Sequence, residues 1–184
     1  MLFLTIAIDT DHIDTYLAKI AKGDKSALSL LYKETQSSVY GFSLSMLKNR
    51  ADAEDVLQDT YLKVWQNASG YKAGTSPMAW ILTIAKNLSL MKLREHGKKQ
   101  DVEPEEWEAI FQAADDTASI EDRHLLQAAL TILSDEEREI ILLHAVSGLK
   151  HREIAELLAV ALPTVLSKYH RGLKKLRNYL ESMQ

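Results

Sequence analysis

The apolar positions of this chain recur mostly at spacings of three and four, the pattern of helices that bury one stripe. Only the first eight residues, Met1 to Ile8, depart from it, and they read as a loose or strand-like tip. A first helix is predicted from about His12 to Ala21, closed by Gly23. A second starts at Asp24, an N-cap residue type, and carries Leu28, Leu31, Tyr32, Val39, Phe42, Leu44, Met46 and Leu47. A third is predicted to take Asp52 as its cap and to run to about Gln66. Residues 67–76, with Gly70 and Gly74, read as a loop. The fourth helix opens near Pro77, a residue tolerated in a first turn, and reaches about His96 before Gly97.

Helical periodicity weakens over residues 98–122, where Pro104, Trp107 and Phe111 stand among acids. A capping pattern, Ser119 to Asp122, restores it, with Leu125, Leu126, Ala129, Leu130 and Leu133 on one face. Ser134 and Glu137 make a capping box for a helix holding Ile140, Ile141 and Leu143, ended by Ser147-Gly148. These elements predict an all-α fold: two small helical domains, residues 1–98 and 124–184, joined by a linker over residues 99–123.

The last 35 residues predict a helix-turn-helix. A short helix, about His151 to Leu158, turns inward Ile154, Leu157 and Leu158, with the small Ala155 allowing close crossing. A second helix starts at Pro163, leaving the preceding Leu162 extended. It buries Val165, Tyr169, Leu173 and Leu176 and presents Ser167, Lys168, Arg171, Lys174 and Lys175. Cations on such a helix neutralise phosphates while neighbouring polar groups reach base edges in a major groove. A solvated basic face on an ordinary helical hairpin is the other reading of these residues.

Charge sharpens the picture. The net charge of −4 speaks against nucleic acid only as an average. Asp101 to Asp122 holds nine carboxylates and no Lys or Arg, whereas Leu162 to Leu180 holds five cations and no acid. Ser76 to Lys99 holds five cations against Glu95 alone. The absence of cysteine excludes disulfides, thiolate metal sites and cysteine nucleophiles and suits a reducing cytoplasm. The apolar start is too short to span a membrane, which takes about 20 residues, and it lacks a basic flank. No catalytic constellation, cofactor motif or metal-ligand spacing is present, the six histidines included, so an enzyme is not expected.

Two further segments carry candidate chemistry. On the predicted third helix, Leu57, Tyr61, Val64 and Trp65 share an inward face. Asp55, Gln58, Asp59, Leu62 and Gln66 share the outer one, a mix of carboxylates, amides and one leucine that suits a protein partner with basic residues around an apolar pocket. A plain solvated face with one exposed leucine fits the same pattern. After it, Tyr71, Lys72 and Trp80, followed by Thr83, Lys86, Asn87 and Arg94, are the side-chain types that hold single-stranded DNA. A core role for Trp80 is compatible with a partial role on nucleic acid.

Together these segments resemble the extracytoplasmic-function (ECF) sigma factors of the sigma-70 family. Asp52-Ala-Glu-Asp, followed by Gln58-Asp-Thr-Tyr-Leu-Lys-Val-Trp65, resembles their polymerase-binding helix. Ala79-Trp-Ile-Leu-Thr-Ile-Ala-Lys-Asn-Leu88 resembles their promoter-melting and minus-ten-reading helix. Leu133-Ser-Asp-Glu-Glu-Arg-Glu-Ile-Ile-Leu-Leu143 and the helix-turn-helix after it resemble region four. The resemblance covers nearly the whole chain in order. It implies RNA polymerase core as partner, through the clamp coiled coil of the largest subunit and the flap, together with promoter DNA and, in many members, an anti-sigma factor commonly held at the membrane. It implies polymerase contacts at Asp55, Gln58, Asp59, Leu62 and Gln66. It implies DNA contacts at Tyr71, Lys72, Trp80, Lys86, Asn87 and Arg94 in the first domain, and at His151, Arg152, Thr164, Ser167, Lys168, Arg171, Lys174 and Lys175 in the second. The anionic linker is expected to thread a basic polymerase channel.

Four positions depart from the family pattern. Met91 stands where Asp is usual, Glu95 where basic residues gather, Ala159 where the turn usually has Gly, and Leu166 where Lys is usual. Ala159 is expected to shift the backbone angle of the turn. One phosphate-facing cation fewer predicts weaker duplex binding with a salt slope flatter by about one unit. Two other readings remain at this point: a helix-turn-helix regulator working without polymerase, and a sigma-like interaction protein with reduced promoter recognition.

Overall fold

The computed structural model describes residues 10–96 and 131–182, and among them every regular element is helical. The N-terminal tip, the acidic linker and nearly all of the helix expected from Ser119 lie outside the described residues. Helix α1 spans Thr10–Ile20, α2 Lys25–Leu47, α3 Arg50–Asn67 and α4 Pro77–His96. A 3-10 turn over Ala68–Gly70 leads from α3 into the loop before α4. Helix α5 is Asp135–Ala145, α6 His151–Leu158 and α7 Leu162–Ser182. No described helix is long and apolar enough to cross a membrane.

Local chemistry sets most boundaries. The Asp24 carboxylate accepts the backbone N–H groups of Ser26 and Ala27, satisfying two of the donors that a helix start leaves unbonded. Ser134 and Glu137 form the expected reciprocal capping box on α5. For α3 the expected cap is replaced: Asn49 takes the N-cap position and its side chain accepts the Asp52 N–H at 3.0 Å. The reason is the end of α2. Lys48 adopts the left-handed conformation at φ 55°, stopping α2 and leaving Asn49 extended, so a new helix starts there and Asp52 falls inside its first turn.

The first four helices make a bundle around Ile13, Leu17, Leu31, Leu44, Val64, Met78, Ile81 and Leu82, all essentially inaccessible to solvent. Helix α2 is its spine. It packs on α1, α3 and α4, and residues 38–44 are buried without interruption because α5 covers the remaining side. Polar side chains there bond locally. Thr35 donates to Leu31 O at 2.6 Å and lies 2.6 Å from the Tyr61 hydroxyl, while Ser43 and Thr60 donate to carbonyls one turn back.

Helices α5, α6 and α7 share a smaller core of Leu133, Ile140, Leu143, Leu149, Ile154, Leu157, Val165 and Leu176. Helix α7 crosses α5 at Gly172, where an added Cβ would lie 2.6 Å from the tip of Ile141. The turn between α6 and α7 corrects one expectation: Ala159 keeps a left-handed conformation, φ 57° and ψ 43°. The N–H groups of Ala159 and Val160 bond back to Glu156 and Ala155, and these paired bonds hold an alanine where glycine is cheaper. Leu162 is also not extended. It opens α7, because Ala161 O receives the N–H groups of Thr164 and Val165, and Pro163 lacks only an N–H that a first turn leaves unbonded.

The two helical domains touch along α2–α5 and α4–α6. Ser38 donates to Val146 O at 3.3 Å, and Lys48 pairs with Asp135 at 2.9 Å. Lys86 donates to Leu157 O at 2.5 Å, reaching the carbonyl end of α6.

Candidate nucleic-acid and partner interfaces

Helix α3 separates its two faces as expected. Val56, Thr60, Tyr61 and Val64 are buried, with Leu57 and Trp65 half-buried beside them. Asp55, Gln58, Asp59, Leu62 and Gln66 are all exposed, and Leu62 shows 53% of its surface to solvent. Asp55 has a structural duty as well. Lys92 on α4 lies 2.7 Å from Asp55 and 3.2 Å from Asp52, clamping α4 to the start of α3. The Asp55 bond, outweighing partial burial, raises the Lys92 pKa above its ordinary value, so its ammonium is charged near neutrality. Asp59 is the carboxylate of this face left without an ion pair among the described residues.

The loop before α4 is anchored. Tyr71 and Trp80 are half-buried, with ring centroids 5.3 Å apart and tilted by 54°. The Tyr71 hydroxyl donates to Asp14 of α1 at 2.6 Å. Burial, with the Asp14 carboxylate adding to it, pushes the phenol up to about 12, so it remains a donor at neutral pH. Thr75 closes the turn onto Lys72 O, and Gly74 takes φ 80° within it. Thr75, Ser76, Ala79, Trp80, Thr83, Lys86 and Asn87 line one wall of a cleft whose other wall is Glu153, Glu156 and Leu157 of α6. The structure thus brings Trp80, Lys86 and Asn87 together, with the exposed Lys72 on the adjoining loop. Arg94 is exposed two turns further along α4.

Helix α7 sorts its cations differently from the sequence pattern. Ser167, Arg171 and Lys174 lie on an exposed ridge that also carries His170 and Arg177. His170 and Arg177 were missed, although their spacing from Ser167 and Lys174 places them on the same stripe. Lys168 and Lys175 point to the flank facing α5: Lys168 pairs with Glu136 and Lys175 with Glu137 at 2.7 Å, with Arg171 at 4.0 Å from Glu137. The Glu137 side chain is 2% exposed. Burial alone would raise its pKa, but Lys175 and Ser134 more than offset that and hold it below the ordinary carboxylate value. Thr164 is half-buried at the start of α7, and Arg152 forms an exposed pair with Glu156 at 3.4 Å.

His151 is half-buried, its ring packed against neighbouring rings. Its ring stacks on His144 with centroids 4.4 Å apart, and Tyr169 stands edge-on to both. His144 Nδ1 lies 2.8 Å from Leu149 O, and a carbonyl can only accept, so the proton sits on that nitrogen. His151 Nε2 is buried without a hydrogen-bond partner. Burial, then the charges of His144 and His170, lowers the His151 pKa below its ordinary value.

The chain matches the family model described as Sigma-70 region 2 over residues 31–99 and that described as Sigma-70, region 4 over residues 123–176. The ECF RNA polymerase sigma factor SigK of Mycobacterium sp. (strain KMS) is 33% identical over 178 residues, covering 93% of this chain and 92% of that protein. The same-named protein of Mycobacterium ulcerans is 30% identical over 179 residues, covering 94% and 96%. Among solved structures, CnrH in complex with the cytosolic domain of CnrY superposes with a TM-score of 0.61 at 19% identity, over 94% of this chain and 99% of that one. The sigma factor RpoE in complex with the anti-sigma factor NepR from Bartonella quintana gives 0.59 at 22%, over 83% and 96%. Two all-helical domains, an exposed carboxylate-and-leucine face, a basic ridge on a helix-turn-helix and relatives matched almost end to end converge: the chain belongs to the ECF RNA polymerase sigma factors, which direct core polymerase to promoters in transcription initiation.

Proposed function

We propose that the outer face of α3, with Gln58, Asp59, Leu62 and Gln66 at its centre and Asp55 at its edge, docks on the clamp coiled coil of the polymerase largest subunit. The observation that carries this is the exposure of all five side chains while the opposite face of the same helix is sealed in the core. An exposed leucine beside an uncommitted carboxylate fits a pocket that is apolar and basic-rimmed. Residues 1–98 act as the docking and minus-ten unit, with Tyr71, Lys72, Trp80, Lys86 and Asn87 toward unpaired non-template bases. Residues 124–184 act as the minus-thirty-five unit, read through Thr164, Ser167, Arg171 and Lys174, with His170 and Arg177 added. The carboxylates of residues 99–123 lie in a basic polymerase channel, and the flap receives the second unit. The protein works in the cytoplasm, needs no bond-making step of its own, and is held by an anti-sigma partner when idle, as the sigma factor RpoE is by the anti-sigma factor NepR in one similar structure.

Capture of core polymerase by the tagged full chain tests the docking face. Asp59→Ala and Leu62→Ala should each reduce capture by roughly tenfold, the scale of a central interface residue. Unchanged capture by both variants rejects this face. Run-off transcription with the same variants separates docking from promoter reading, since a duplex-only regulator would give no transcript with either protein.

A further inference from the structure

The strongest unassigned contact lies at the bottom of the minus-ten loop, and it comes from outside the matched region 2 segment, which begins at residue 31. We propose that Asp14 is a positioning residue for promoter reading: from α1 it fixes Tyr71, which sets the place of Trp80 and so the shape of the pocket that receives an unpaired base. This rests on the assignment of the loop and α4 to the minus-ten element.

The geometry forms a chain of three links. Asp14 accepts the Tyr71 hydroxyl at 2.6 Å, a short, charge-assisted bond across 57 residues of sequence. Tyr71 packs its ring against Trp80, centroids 5.3 Å apart. Trp80 lines the cleft that also holds Lys86 and Asn87. Within the loop, Thr75 bonds back to Lys72 O and its carbonyl lies 3.4 Å from the Tyr71 hydroxyl, so the turn is tied to itself and to Tyr71. Tyr71 therefore joins loop to bundle, and its hydroxyl is too weakly acidic to ionise near neutral pH and break the link. Asp14 itself does not line the cleft, so it acts through Tyr71 and needs no contact with DNA.

The test uses holoenzyme reconstituted from core polymerase and the full chain. The probe is a pool of pre-opened templates whose unpaired non-template positions are randomised. Bound templates are sequenced, which reports base preference rather than mere retention of fold. Asp14→Ala should flatten enrichment at the most selected unpaired position by roughly tenfold, the size of one charge-assisted hydrogen bond. Asp14→Asn, which keeps an acceptor oxygen, should retain most of the preference. In a Tyr71→Phe background Asp14→Ala should add nothing further. Capture of core polymerase should be unchanged throughout. Wild-type enrichment by Asp14→Ala, or an equal loss in both backgrounds, overturns the positioning role while leaving the minus-ten assignment intact. If Trp80→Ala and Lys86→Ala also enrich like wild type, the minus-ten assignment fails and the positioning role with it.

Discussion

Two neighbouring carboxylates on α5 each hold a lysine of α7, yet they should differ widely in what they contribute. Glu136 keeps 69% of its side chain in solvent and Glu137 only 2%. The Glu137 carboxylate accepts Lys175 Nζ at 2.7 Å and the Ser134 N–H at 3.0 Å, closing the cap of α5 while tying α5 to α7. Glu137→Ala removes both bonds and half the capping box. A hydrogen bond to a charged group is worth about 1.5–3 kcal/mol. Lys175 is 41% exposed and can regain water, so its share is discounted. The expected total is about 2–3 kcal/mol, a large part of what a domain of this size commands. Glu136→Ala removes an exposed pair and should cost less than about 0.5 kcal/mol. Glu137→Gln, which keeps the shape and one acceptor, should fall between. Urea unfolding followed by far-UV circular dichroism, fitted for the C-terminal transition, measures all three. Equal costs for Glu136→Ala and Glu137→Ala, or a Glu137→Ala cost below about 0.5 kcal/mol, would show that burial does not govern these pairs.

Ala159→Gly should stabilise the protein by about 1 kcal/mol by relieving the left-handed strain at φ 57°, and a lower denaturant midpoint would contradict that. Tyr61 donates to Thr35, which in turn donates to Leu31 O, so Thr35→Val strands a buried phenol and should cost about 1–3 kcal/mol, more than the ~1 kcal/mol for Tyr61→Phe; the reverse order in thermal or urea unfolding would refute the donor sequence. His151 has a depressed pKa, so the unfolded chain binds the extra proton: the stability it contributes is full above the ordinary imidazole value of 6.5 and is lost as pH falls from there through the depressed one. Melting of the C-terminal transition should therefore decline over that acid range by at most about 1.4 kcal/mol per pH unit for this ring, and His151→Phe should flatten the decline; a wild-type profile already flat there argues against the buried neutral ring.

The features legible in the sequence were those governed by near neighbours. Asp24 and the Ser134–Glu137 box announce helix starts because cap and donors lie within three residues. The exposed face of α3 followed from the 3.6-residue period alone. Asn49 was hidden because Asp52 is an equally good cap type, and the choice depended on where Lys48 ended the previous helix. The ion pairs of Lys168 and Lys175 were hidden because a helical pattern cannot show that α5 turns Glu136 and Glu137 toward them across more than thirty residues. A still longer separation concealed the bond from Tyr71 to Asp14, whereas the stacking of His144 on His151 depended on how the chain turns between α5 and α6.

The Lys86 ammonium reaches the carbonyl end of α6 and commits one of its three N–H donors there. On the proposed minus-ten role of Lys86, a promoter contact whose geometry requires that bond to break has an observed affinity equal to the intrinsic one multiplied by the fraction of molecules in which the ammonium is released. A preference of about 1.4 kcal/mol for the bonded arrangement would hide roughly nine-tenths of the intrinsic binding strength. Whatever draws the two halves apart restores it without touching a single base contact.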